Sequence, residues 1–127
     1  MDASAASEYL LRTPLGLQVE ALVKGALLFA PALLDAEVLA VLRKAVLSGR
    51  LSEERAREAV EDLAQWPLRR VDPLPLLAEV WALRGRISAY DAFYVALARR
   101  LSAPLLTADG PLARTPGLEV PLIHLRL

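Results

Sequence analysis

The chain has no cysteine and a single histidine, His124. The first absence removes disulfides, thiolate nucleophiles and Cys-ligated zinc; the second leaves no pair of imidazoles to hold a metal, so a structural His124 is expected. Neither sign of charge is in excess, with fifteen Lys and Arg against fifteen Asp and Glu, so no global basic surface advertises nucleic-acid binding. Thirteen of the basic residues are Arg, including the pairs Arg69-Arg70 and Arg99-Arg100, which are read as solvated surface. No apolar run reaches the roughly 18 residues of a membrane span. Nor does a basic stretch followed by an apolar core and a cleavage site mark a secretory signal, so the expectation is a soluble, cytoplasmic protein with no membrane partner.

What is present is a rich apolar complement, 55% of 127 residues with 24% charged. That supports one domain over residues 1–127 with a true core, and it argues against disorder. No linker, repeat or low-complexity tract interrupts it.

Punctuation residues divide the chain into short elements. Ala5 to Leu11 are helix formers, and Thr13-Pro14 opens a second helix that stops at Lys24-Gly25. Leu27 to Ala30 reads as a buried strand ended by Pro31, and a helix follows from Ala32 to Ser48 with Gly49 as its cap. Ser52 starts another helix that runs to about Gln65, before Trp66-Pro67. Leu68 to Val71 is a weak strand candidate and Pro73 to Leu83 a helix. Ser88 then opens a helix that is apolar on every side from Ala92 to Ala98 apart from the Tyr94 hydroxyl, the mark of an element covered all round. Tyr90, Phe93 and Tyr94 are accordingly read as core rather than as stacking platforms for bases. Ala103 to Thr107 is a strand ending at Asp109-Gly110, and Leu118 to Leu125, with Pro121, is an edge strand. Helices alternating with short apolar strands give an α/β layer fold with a mostly parallel sheet.

Four acids sit beside apolar segments where lone carboxylates are unwelcome: Asp2, Glu37, Asp91 and Asp109. Three of them have a plain local explanation. Asp91 completes a capping box with Ser88, a first-turn Glu37 suits the helix dipole, and Asp109-Gly110 is a common turn. Yet in a parallel sheet the positions after strands converge at one edge, and four converging carboxylates could not all ionise unaided. A divalent cation resolves that conflict. With oxygen donors alone it would be hard, Mg²⁺ or Mn²⁺, suited to activating water against a phosphodiester. Ser4 either caps the first helix or bonds a carboxylate or metal-bound water. An early Asp also raises a haloacid-dehalogenase-like phosphatase, which needs an Asp two residues later where this chain has Ser4.

Asp2-Ala3-Ser4, Pro31 to Val38, Tyr90 to Ala98 and Leu105 to Asp109, in that order and in a chain of this length, resemble the PIN-domain family, specifically the VapC-type toxin ribonucleases of toxin–antitoxin pairs. The resemblance implies a three-layer α/β/α sandwich around a short parallel sheet; members begin with an apolar first strand before the first Asp, where only Met1 stands here, so either the true start lies upstream or the strand is truncated. It implies that Asp2, Glu37, Asp91 and Asp109 are the catalytic, metal-binding quartet, with Ser4 and Thr107 in support. It further implies a Mg²⁺- or Mn²⁺-dependent endoribonuclease cutting structured or loop RNA such as tRNA or rRNA, a homodimer, and a cognate antitoxin partner. The alternative expectation is a PIN-like RNA- or protein-binding regulatory module with little turnover.

Overall fold

Seven helices and four three-residue strands alternate along residues 1–127 of the computed structural model. The helices are α1 (Ala3–Leu10), α2 (Pro14–Val23), α3 (Leu34–Leu47), α4 (Glu53–Gln65), α5 (Leu77–Ala82), α6 (Ala89–Leu101) and α7 (Gly110–Ala113). The strands are β1 (Phe29–Pro31), β2 (Arg69–Val71), β3 (Leu105–Thr107) and β4 (Leu122–His124).

The helix starts follow side-chain caps. Thr13, Ser52 and Ser88 accept from the backbone N–H groups of Gly16, Arg55 and Asp91, and Pro14 occupies the first turn of α2 where its missing N–H costs nothing. Gly49, at φ +77°, follows the end of α3 as its composition predicts. The expected Pro73–Leu83 helix opens instead with a 3₁₀ turn at Leu74–Leu76, with Pro75 within it, before α5. The expected Asp109-Gly110 turn is the start of α7.

The strands are shorter than the apolar runs that announce them. β1 includes Pro31 and excludes Leu27, which is 76% exposed. Leu28 and Ala32 carry the flanking rungs to β2, from Arg69 N–H to Leu28 O and from Ala32 N–H to Val71 O, so Pro31 faces the other edge, where no donor is required. Pro121 precedes β4 and still contributes, its carbonyl accepting from Leu105 N–H at 2.9 Å.

All pairing is parallel, with Ala30 opposite Arg70 and Leu106 opposite Ile123. The strands form two separate pairs, β1–β2 and β3–β4, rather than one continuous central sheet. Between the pairs lies a cavity of about 260 Å³ walled by Phe29, Pro31, Leu105 and Leu106 and floored by Tyr94 and Leu97. Ahead of α1, which begins at Ala3, Asp2 N–H makes a strand-like bond to Leu106 O at 3.0 Å.

α6 packs on both β1 and β3 and is backed by α5, while α1 packs on β3 and gathers α2, α3 and α4. Because α1 and α6 share β3 without substantial contact between them, helices cover both faces, the α/β/α layering. Within α6, Ala92 and Tyr94 to Ala98 are buried and Phe93 half-buried, but Tyr90 is 63% exposed, contrary to the core reading. It lies in the first turn of α6, before the helix passes beneath the strands.

Candidate active site

The N-terminus folds into a cap that fixes Asp2. Asp2 is the N-cap of α1, and its Oδ1 accepts both Ala5 N–H at 3.0 Å and the Ser4 hydroxyl at 2.6 Å. Asp2 is 4% exposed, which is tolerable for a carboxylate with two donors on one oxygen. Ser4 therefore does not cap the helix. It is the second residue of the helix, donates to Asp2 and accepts from Ala108 N–H at 2.9 Å, joining α1 to the end of β3.

Thr107, the buried last residue of β3, stands 3.4 Å from the Ser4 hydroxyl and accepts Asp109 N–H at 2.9 Å. Asp109 in turn caps α7, its Oδ1 accepting Leu112 N–H at 3.1 Å. Glu37 lies in the first turn of α3, and its Oε1 accepts the Tyr94 hydroxyl at 2.7 Å. Asp91 is in the first turn of α6, its N–H bonded to Ser88 Oγ at 3.2 Å. The elements that carry these groups are thus α1, α3, α6 and the β3–α7 junction.

Electrostatics links the four acids. Glu37 is held above the usual carboxylate range, first by burial and then by the charges of Asp91 and Asp2, with the Tyr94 hydrogen bond opposing. Asp91 is also raised, first by burial and then by Asp109 and Asp2, with Ser88 opposing. Tyr94 is pushed far above its ordinary value by burial and by its bond to Glu37, so it remains a neutral donor. In this conformation no three of the acids stand close enough to hold one ion together. Asp2, Glu37 and Asp109 each commit one oxygen to a protein donor and leave the other without one.

The donor set fits a hard divalent cation: carboxylate oxygens only, no thiol, no imidazole, and mutual repulsion that a positive charge would relieve. Arg114 is the cation beside the site, its guanidinium folded back over Gly110, where an added Cβ would stand 2.6 Å from Nη1. It forms no ion pair with any carboxylate.

Other charged residues are structural. Arg70 makes a bidentate bridge to Asp35 and donates to the Trp66, Leu68 and Leu63 carbonyls, Arg99 donates to Leu118 O, and Arg100 to Glu79 and Pro75 O. Asp35, two residues from Glu37 and on the other side of α3, is thereby accounted for outside the site. The residue that sequence reading missed is Tyr94. Its one visible sign was a hydroxyl on an otherwise apolar helix.

Comparison with known proteins identifies the family. The family model described as PIN domain matches residues 1–118. Among curated relatives, Ribonuclease VapC1 of Mycobacterium tuberculosis is 48% identical over 106 residues, 81% of this chain and 80% of that protein. Ribonuclease VapC12 of the same organism is 38% identical over 117 residues, 92% of this chain and 91% of that protein. Ribonuclease VapC9 is 34% identical over 122 residues, 96% and 94% of the two chains. A family model that matches nearly the whole chain, together with relatives at 34–48% identity that are named Ribonuclease VapC, places the chain in the PIN-domain family, among its VapC-type members.

Proposed function

We propose that this chain is a single PIN-like domain acting as a Mg²⁺- or Mn²⁺-dependent endoribonuclease toxin of a toxin–antitoxin pair, hydrolysing phosphodiester bonds in structured or loop RNA such as tRNA or rRNA. The observation that carries the reading is the electrostatic coupling of Asp91 to both Asp2 and Asp109, and of Glu37 to Asp91 and Asp2. Two half-buried carboxylates, Glu37 and Asp91, raised first by burial and then by neighbouring acids, have a use for a cation and are a poor choice for stability alone. Named relatives that are ribonucleases support the same reaction class.

In this reading Asp2, Glu37, Asp91 and Asp109 would hold the cation. When bound, it supplies an activated water and stabilises the charge that develops on the phosphodiester. The chain's own part is to present the carboxylates. Ser4 and Thr107 tie Asp2 to Asp109, so the two ends of the site are held by one hydrogen-bonded chain across α1 and β3. Arg114, without an acidic partner, offers a guanidinium to an RNA phosphate at the rim, where four carboxylates would otherwise repel the polyanion.

Exposed apolar side chains, among them Leu77 and Trp81 on α5 and the neighbouring Leu39 and Val60 on α3 and α4, suit protein partners, for which the reading names a second copy and an antitoxin. No helix is long and apolar enough to cross a membrane.

The test is cleavage of total RNA by purified protein in Mn²⁺ or Mg²⁺, with EDTA and Asp91→Asn as controls and the cut ends mapped. Discrete metal-dependent cuts lost in the variant are expected. A folded, antitoxin-free protein that leaves RNA intact would refute the nuclease and favour a binding module.

A further inference from the structure

Tyr94 is 2% exposed and lies one helical turn after Asp91 on α6. Its ring is part of the floor of the cavity between the two strand pairs, so packing fixes its position from the core side. A buried phenol needs a hydrogen-bond partner, and core partners are usually carbonyls. Here the partner is the carboxylate of Glu37, on a different helix and 57 residues away, at 2.7 Å.

Glu37 has every reason to leave. It is half-buried, it faces the charges of Asp91 and Asp2, and its three side-chain torsions give it many ways to swing into water. No arginine or lysine pairs with it. The Tyr94 hydroxyl is its one side-chain donor, bonded through Oε1, and Oε2 has none. We infer that Tyr94 is a positioning residue that holds Glu37 within the acidic cluster, occupying Oε1 so that Oε2 alone is presented to the cation. α6 then contributes twice, with Asp91 as a member of the cluster and with Tyr94 as the strut that orients another. Outer partners of this kind orient ligating groups in metal sites generally. The inference rests on the cation-binding reading of the site.

The experiment is Mn²⁺ titration by calorimetry of the wild type, Tyr94→Phe, Glu37→Gln and the double variant. Phe retains the ring that fills the core and removes only the hydroxyl, so far-UV circular dichroism and the melting temperature should change little. Tyr94→Phe is expected to weaken Mn²⁺ binding about tenfold. In the Glu37→Gln background the same change is expected to do nothing further, because the group it positions is already gone. Wild-type affinity in Tyr94→Phe would overturn the inference, as would an equal loss in both backgrounds, which would mark a packing effect. Wild-type protein that binds no Mn²⁺ would overturn the cation site itself, a result distinct from the other two.

Discussion

Glu37 and Asp91 each face two other acids across a half-buried space, and burial is the larger reason that both resist ionisation. Each binds its proton more tightly in the folded chain than in the unfolded one. The sign of the linkage follows: their contribution favours the fold below the raised values and is lost as pH rises through them toward neutrality. In EDTA, the melting temperature of the wild type should therefore fall as pH is raised from the ordinary carboxylate range to neutral. Asp91→Asn removes one of the two groups and should show a shallower fall. Parallel profiles for the two proteins would mean that the charge on Asp91 is not opposed in the native state. The four acids were legible in the sequence because a carboxylate beside apolar neighbours is conspicuous. The bond from Tyr94 to Glu37 was not, since an aromatic on a buried helix looks the same whether its hydroxyl meets a carbonyl or a carboxylate from another element. Ser4 fell between: its two readings, cap or carboxylate partner, could be separated only once Asp2 was seen to be the cap.

At the scale of elements, α1 is the piece that all else fixes, because it carries Asp2 and Ser4 and packs against α2, α3, α4 and β3. Its contact with α2 depends on Gly16. A Cβ there would collide with the Glu8 carbonyl and crowd Tyr9 Cα, both backbone atoms that cannot rotate away. Two effects compete in Gly16→Ala. Helix propensity favours Ala by about 1 kcal/mol, whereas overpacking against backbone costs about 1–3 kcal/mol. The collision should win, giving a net loss of stability in urea unfolding; a stabilised variant would show that α1 and α2 can separate freely. Helix boundaries were readable because Thr13, Ser52 and Ser88 announce them chemically. Strand boundaries were not, because three-residue strands have no room for a period and the apolar runs that mark them continue into loops, as Leu27 does. α7 escaped for a related reason: one turn of helix after Asp109-Gly110 has the composition of a turn.

For the whole molecule, the alternation of helices with short apolar strands pointed to the class of fold, and the ordered acidic motifs to its family. The division of the strands into two pairs, with an apolar cavity between, was not readable, since parallel pairing joins residues far apart in sequence and leaves no local signature. In the proposed reading, α6 and the segment from the end of β3 into α7 together present Asp91, Tyr94, Thr107 and Asp109 to one site. The most direct test of that unity is Mn²⁺ affinity, measured by calorimetry, in Glu37→Gln and Asp109→Asn, which alter residues from opposite ends of the chain. If one cation is shared, each folded variant should bind at least about tenfold more weakly than the wild type, because loss of a ligand costs no less than loss of an outer partner. Unchanged affinity in both folded variants would contradict the shared site and, with it, the metal-dependent nuclease.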